Sequence, residues 1–147
     1  MGIREGDLMT TGDLEGVFAA YRAAWRSHDL DAIVALHHPE GSFWLHTAGE
    51  SVAVGREAMR TKFAATLALM PDIAFDSLRL HWGDAFLVHE MSATGTPAVP
   101  GQTGVVRFDI VDVIEFRDGL VWSKNSYLDA APLAARLQVP AEAVAAG

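Results

Sequence analysis

Val105-Val-Arg-Phe-Asp-Ile-Val-Asp-Val-Ile-Glu-Phe116 is the stretch that decides the fold, because its polar and apolar side chains alternate. Successive side chains of a β-strand point to opposite faces of a sheet. One face of the predicted strand carries the acid Asp112 among large apolar side chains, which are Val106, Phe108, Ile110, Ile114 and Phe116. The other face carries charged residues. The pattern therefore predicts a long strand that has one face against a core.

Asp112 is the unusual residue of this strand. A carboxylate among apolar groups loses its hydration, and it is stable there only when it is hydrogen-bonded or protonated. Two interpretations are open: Asp112 contacts a ligand or takes part in catalysis, or it is a structural acid bonded to Tyr21 or to a water molecule. Tyr21 likewise either brings its hydroxyl group to the site or packs its ring and points the hydroxyl to a rim.

Four long strands are predicted in the second half of the chain, over residues 73–82, 85–96, 105–116 and 120–128. Glycine-containing turn sequences separate them, and short connections join antiparallel neighbours. A shorter strand is predicted over residues 42–47. Together these elements predict an antiparallel sheet.

Helices are predicted mainly in the first half. Residues 13–28 carry apolar side chains at the three- and four-residue spacing of one helical face: Leu14, Val17, Phe18, Tyr21 and Trp25. Asp29 is suited to cap a second helix that ends at Pro39, a third helix covers 55–70, and a last one covers 130–137. The order of elements predicts an α+β domain, in which helices cover one face of a curved sheet and enclose a pocket.

Composition limits the classes of function. The chain has 147 residues, no cysteine and a formal net charge of −8, which favours one domain without disulfides and argues against nucleic-acid binding. Apolar runs are too short to span a membrane and no signal peptide is visible, so we expect a cytoplasmic protein without a membrane partner. We expect the domain to cover residues 13–138, between a flexible N-terminus (1–12) and a frayed tail (139–147).

Three runs of sequence carry a resemblance to a known family. They are Tyr21-Arg-Ala-Ala-Trp-Arg-Ser-His-Asp-Leu-Asp-Ala-Ile-Val-Ala-Leu36, Gly55-Arg-Glu-Ala-Met59 and Val113-Ile-Glu-Phe-Arg-Asp-Gly119. Over residues 13–138 the chain resembles the NTF2-like superfamily, in particular its SnoaL-like and ketosteroid-isomerase-like branch. The resemblance implies a cone-shaped α+β fold with a pocket for a small hydrophobic ligand, and a homodimer. Its members include isomerases, polyketide cyclases, dehydratases, epoxide hydrolases and binding domains.

The resemblance also implies roles for particular residues. In ketosteroid isomerases a tyrosine of the first helix and a strand aspartic acid donate hydrogen bonds to the dienolate oxygen, and Tyr21 and Asp112 occupy these positions. The position of the isomerase's base is Leu45, with His46 beside it. The acid that cyclases and epoxide-hydrolase-like enzymes keep on the last strand is replaced by Ser126, and Asp112 matches a histidine of the cyclases.

Other candidates follow from side-chain chemistry. His46 and His89 are candidate bases, since imidazole titrates near neutral pH, and we expect His89 to face inward. Lys124 either binds an anionic or enolate oxygen or extends to solvent. The predicted substrate-binding residues are Trp25, Phe63, Phe108, Ile110, Ile114, Trp122, Lys124 and Ser126. A metal cluster of His37, His38 and Glu40 is disfavoured, because adjacent histidines at a helix end diverge; we expect no metal and no cofactor.

These observations predict a cofactor-independent isomerase, cyclase or dehydratase that enolises a small hydrophobic carbonyl compound, such as a steroid or polyketide. Tyr21 and Asp112 would donate to the enolate oxygen, while His46, His89 or an ordered water moves the proton. A non-catalytic ligand-binding or interaction domain is the alternative, because both customary bases are replaced. A further alternative is an epoxide hydrolase in which Asp112 activates water. We expect a homodimer to form through the strand face that bears Val111 and Val113.

Overall fold

The computed structural model describes residues 11–137, with side chains from residue 13 onward. Of the predicted flexible N-terminus (1–12), residues 1–10 lie outside this part of the chain, as does the predicted tail 139–147, while Thr11 and Gly12 belong to the first helix. The described elements are α1 (Thr11–Arg26), α2 (Leu30–Ala35), β1 (His37–His46), β2 (Ala53–Val54), α3 (Arg56–Leu69), β3 (Ala74–Trp82), β4 (Phe86–Gly95), β5 (Val106–Arg117), β6 (Leu120–Leu128) and α4 (Ala131–Leu137). Within residues 11–137 no helix is long and apolar enough to cross a membrane.

The six strands form a single sheet in the order β2-β1-β6-β5-β4-β3. Strands β3 to β6 are antiparallel neighbours, as their short connections predict. Strand β1 instead pairs in parallel with β6, and the two-residue strand β2 pairs antiparallel with β1. The helices pack against one face of this curved sheet, which confirms the predicted α+β class.

The second helix is shorter and the first strand longer than predicted. Asp29 caps α2 by accepting a hydrogen bond from the amide of Ala32 at 3.1 Å, as expected. The helix ends at Ala35, however, and Pro39 lies inside β1 rather than at a helix end. The strand tolerates this proline because its pairing with β6 is irregular between His37 and Ser42, so no ladder hydrogen bond needs its missing N–H.

The sheet has two faces. The inner face is covered by the helices, and the outer face is its opposite side. All the residues of β5 predicted to share the face of Asp112 are buried, and they are Val106, Phe108, Ile110, Ile114 and Phe116. Ile114 and Phe116 pack with buried side chains of α1 and α3, which include Leu14, Phe18, Trp25, Met59 and Phe63. Val106, Phe108 and Ile110 form a second cluster with Met70, Ile73, Met91 and Ala93, against which Leu67 and Leu69 of α3 and Leu133 of α4 pack. The alternation of β5 therefore sets which face meets the helices.

Candidate functional site

A cavity of about 270 Å³ lies between the helices and the inner face of the sheet. Its walls are mostly aromatic and aliphatic; the aromatic ones include Phe18, Trp25, Phe43, Phe63, Phe75 and Phe108. A smaller polar group lies among them, formed by Tyr21, His89, Asp112, Lys124 and Ser126. A mainly apolar cavity with a few convergent polar groups is the usual form of a small-molecule site.

Asp112 lies in the middle of β5 with 4% of its surface exposed. The hydroxyl group of Ser126 donates to its Oδ1 at 2.5 Å, and the ammonium group of Lys124 is 3.6 Å from its Oδ2. Both partners come from β6, where Ser126 is paired with Asp112 itself and Lys124 with Ile114. Asp112 is therefore one half of a buried ion pair.

Lys124 is only 7% exposed, so its side chain does not extend to solvent. Its Nζ donates to the Tyr21 hydroxyl at 2.9 Å and lies about 5 Å from the rings of Tyr21 and Trp25. Burial by itself would lower the pKa of Lys124, but Tyr21 and Asp112 more than offset this effect, and the net shift is upward. The group is thus an ammonium ion at neutral pH, which makes it a hydrogen-bond donor rather than a nucleophilic amine.

Tyr21 is hydrogen-bonded to Lys124 and to Nε2 of His37, each at 2.9 Å, and not to Asp112. Burial raises its pKa, so the phenol keeps its proton. Burial, together with Lys124 and Arg56, lowers the pKa of His37 to about 3, so this imidazole is neutral. Lys124 can only donate, so the Tyr21 oxygen accepts from it and the Tyr21 hydroxyl donates to His37. The phenol proton therefore points away from the cavity.

His89 faces inward from β4, directly opposite Asp112 in the strand register. Its Nε2 is 2.7 Å from the hydroxyl oxygen of Ser77, and its ring packs edge-on against Phe18. Burial lowers the pKa of His89 to about 4; Asp112 acts in the opposite direction, and Arg22 and Lys124 add to the lowering. The imidazole is therefore neutral at physiological pH and lies beside the carboxylate.

His46 does not reach the cavity, which corrects its prediction as a candidate base. Leu45 lines the cavity, so the alternation of β1 turns His46 to the outer face. There its ring stacks between Trp44 and Tyr127 at centroid distances of 4.3 and 4.2 Å. Its Nε2 is bonded to Oδ1 of Asn125 at 2.7 Å.

Two predicted substrate-binding residues also lie outside the cavity lining. The register between β5 and β6 shifts between Glu115 and Phe116, and this irregularity turns Val121 inward in place of Trp122. Trp122 instead contacts His38, and the guanidinium group of Arg117 lies 3.8 Å from its ring centre. Ile114 is fully buried, but it belongs to the hydrophobic core rather than to the cavity.

The remaining predicted residues meet at the cavity, and they are Tyr21, Trp25, Phe63, His89, Phe108, Ile110, Asp112, Lys124 and Ser126. Sequence reasoning missed Arg22, Arg26 and Ser77, which also line it. It also missed His37, because Pro39 predicts the end of a helix at this point of the sequence. Within the described part of the chain, no three potential metal-ligating side chains form a cluster.

The sequence and the fold of this protein are similar to those of known proteins. A family model described as a SnoaL-like domain matches residues 18–124. The chain belongs to the SnoaL-like family. No curated protein sequence gives a match. The family assignment confirms the resemblance carried by the sequence.

Solved structures show the same fold at low sequence identity. A putative SnoaL-like polyketide cyclase from Jannaschia sp. CCS1 has a TM-score of 0.77 and 17% identity, over 89% of this chain and 94% of that one. An NTF2-like protein from Burkholderia thailandensis E264 has a TM-score of 0.75 and 17% identity, over 89% and 99%. AclR, a putative hydroxylase from Streptomyces galilaeus, has a TM-score of 0.73 and 20% identity, over 94% and 95%. At these identities the similarity establishes the fold of this SnoaL-like chain and not its reaction.

Proposed function

We propose that this SnoaL-like protein is a cofactor-independent enzyme of the isomerase, cyclase or dehydratase type, which moves a proton on a small hydrophobic carbonyl compound. The observation that carries the proposal is the buried pair of Lys124 and Asp112 at an apolar cavity. A buried ion pair is expensive, and well-packed apolar residues in its place are often at least as stable. Such a pair beside a cavity supports a chemical role.

Lys124 is suited to stabilise negative charge on a carbonyl oxygen. Its ammonium group has three N–H donors; one is bonded to Tyr21 and another can be directed to Asp112. The third is available to a ligand. An enolate oxygen gains more from this donor than a neutral carbonyl does, because the charge develops during the reaction. Tyr21, held by His37, would act as a positioning residue for Lys124.

Asp112 is suited to act as the base. Ser126 holds Oδ1, and Oδ2 lies 3.6 Å from the ammonium group of Lys124. Oδ2 keeps a lone pair that can remove a proton from the carbon next to the carbonyl group, while the electrons of the broken C–H bond form the enolate. Return of the proton to another carbon gives isomerisation, and its transfer to a departing hydroxyl group gives dehydration. In a cyclisation, the enolate carbon attacks a second carbonyl and the new alkoxide takes the proton. This role differs from the donor role that the resemblance to ketosteroid isomerases implies for Asp112.

The size of the cavity limits the substrate. A cavity of about 270 Å³ is nearly twice the roughly 150 Å³ that holds one benzene molecule. Two or three fused rings therefore suit it better than a large polycyclic molecule. A binding protein without catalysis is the second candidate, and it is favoured by Leu45, an apolar residue that lines the cavity at the position of the isomerase's base.

Deuterium exchange tests the proposal. The protein is incubated in deuterated water with bicyclic ketones such as 2-tetralone and 2-acetylnaphthalene, and loss of the α-proton signal is followed by NMR. We expect catalysed exchange, and we expect Asp112→Asn to slow it at least about 100-fold because an amide cannot take the proton.

Asp109→Asn is the matched control, since Asp109 is exposed on the outer face of the same strand. It should exchange at the wild-type rate. Tight binding of these ketones without any exchange would favour the non-catalytic alternative, and equal rates for wild type and Asp112→Asn would remove the role of Asp112.

We further propose that the protein is a homodimer that pairs through the outer face of the sheet, as the family resemblance implies. This face presents Val111 and Val113, together with the exposed aromatic side chains Trp44 and Tyr127. Tyr127 is directly opposite Val111 in the register of β5 and β6, so the two extend one apolar surface.

A further inference from the structure

The charges that line the cavity differ in sign from those of the whole protein. The chain has a formal net charge of −8. The lining nevertheless contains three cationic side chains, Arg22, Arg26 and Lys124, and one carboxylate, Asp112. A positive cavity in an acidic protein attracts anions to one place on a surface that otherwise repels them.

Arg22 and Arg26 carry the uncompensated part of this charge. They are four residues apart on α1, so their side chains leave the same face of the helix, with Cβ atoms about 5–6 Å apart. Arg22 is half-buried, and its guanidinium group lies 5.8 Å from the ring centre of Phe18, while Arg26 is exposed. Within residues 13–137 no carboxylate lies within ion-pair distance of either arginine.

Several other basic side chains are paired with carboxylates. Arg60 pairs with Asp31 at 2.7 Å and Lys62 pairs with Glu50 at 2.9 Å. Inside the cavity, Lys124 is balanced by Asp112. The positive charge of Arg22 acts on groups inside the cavity, since it helps to lower the pKa of His89. Among residues 13–137, the two arginines of α1 are therefore the cationic part of the cavity wall that has no carboxylate partner.

We propose that the ligand of this cavity is an organic anion, with a hydrophobic body of two or three rings and an acidic group held by Arg22 and Arg26. The inference rests on the proposed function in that the same cavity is taken as the substrate site, with the carbonyl end of the ligand at Lys124 and the acidic end at the arginines. A guanidinium group binds carboxylate and phosphate through paired N–H donors, so either acidic group suits the site.

A matched set of ligands tests the proposal by binding rather than by turnover. The set is 6-acetyl-2-naphthoate, its neutral methyl ester and 6-acetyl-2-naphthyl phosphate, which share the ring system and the ketone. Dissociation constants are measured by isothermal titration calorimetry. We expect at least one anion to bind about tenfold more tightly than the ester; the factor is modest because the arginines are partly exposed. The tighter of the two anions identifies the acidic group.

Variants locate the anion. In the double variant Arg22→Gln/Arg26→Gln the preference for the anion should disappear while the affinity for the ester stays unchanged. Arg107→Gln is the control, because Arg107 is exposed on β5 outside the cavity lining and its loss changes the net charge of the protein by one unit. This control should keep the preference. Added salt should weaken binding of the anions and not of the ester.

Equal affinities for anion and ester, a preference that survives in the double variant, or no binding of any of the three compounds up to about 1 mM would overturn the proposal. Deuterium exchange on the ester separates this result from the proposed function. Exchange without an anion preference would support the proposed enzyme and contradict the anion site. An anion preference that depends on the two arginines, without exchange on any ligand, would support the anion site and contradict the proposed enzymatic activity.

Discussion

Polar side chains have different environments on the inner and outer faces of the same strands. On the inner face Lys124 and Asp112 are almost completely buried and held by each other, by Tyr21 and by Ser126. On the outer face His46, Trp44 and Tyr127 stack in a row, and Tyr127 is 47% exposed. We propose chemistry at the inner face and a dimer contact at the outer face, so matched changes on the two faces should have different consequences.

Replacing Lys124 should give the largest effect. Lys124→Met removes the only ammonium group near Asp112 among the described residues, so catalysed exchange should fall by about 100-fold or more. The unfolding free energy should also fall by about 3–5 kcal/mol, because a buried carboxylate is left unpaired. Exchange is followed by NMR and stability by urea denaturation.

The double variant Lys124→Met/Asp112→Leu separates the two effects of this change. It should recover most of the stability and none of the activity, since it removes both charges. Arg107→Met, on the outer side of β5, should change neither. Full exchange activity in a folded Lys124→Met protein would show that the ammonium group is not needed.

The buried side chain of His37 should make the stability of the protein depend on pH. His37 has a pKa of about 3 in the folded protein and about 6.5 when unfolded. Between these values the unfolded chain binds a proton that the folded protein does not, so stability is complete above pH 6.5 and is lost as the pH falls toward 3. The loss from this residue amounts to at most about 1.4 kcal/mol per pH unit.

Urea denaturation at a series of pH values measures this slope. His37→Gln should reduce this slope, because glutamine can still accept the hydrogen bond from Tyr21 but does not titrate. The slope that remains comes from His89, whose pKa of about 4 also lies below its unfolded value. His81→Gln, in which an exposed histidine of β3 is replaced, should retain most of the slope. Identical slopes in wild type and His37→Gln would mean that His37 is accessible to protons in the folded state.

The outer face should affect assembly and leave the chemistry nearly unchanged. Tyr127→Glu places a charge at the centre of the proposed dimer surface, so it should shift a dimer toward monomers in sedimentation velocity experiments. The exchange rate per chain should stay within about twofold, because Tyr127 lies on the side of the sheet opposite to the cavity. A wild-type protein that is already monomeric would contradict the proposed assembly.

The regular parts of the strands could be predicted from the sequence. In β5 a strict alternation places Asp112 on the buried face, and the alternation of β4 places His89 there as well. The fold class follows from the order of the elements, and the family from short runs of sequence. For Asp112 and His89 local periodicity is sufficient, because the face to which a side chain points depends only on its own strand.

Irregular positions and long-range contacts could not be predicted in this way. Alternation predicts that Trp122 faces the cavity, because it does not reveal the register shift between Glu115 and Phe116. The position of His37 is not predictable, because a proline can either end a helix or lie in an irregular strand. The bond between Lys124 and Tyr21 joins residues 103 positions apart. The placement of His46 could have been found, since Phe43 and Leu45 mark the inner face of β1.

A structure of the complex with 2-acetylnaphthalene tests the central claim most directly, because it locates the carbonyl oxygen. We expect this oxygen within about 3.2 Å of Nζ of Lys124, with the methyl carbon turned toward Asp112. A ketone bound in the cavity with its oxygen pointing away from Lys124, or bound only elsewhere on the protein, would contradict the account.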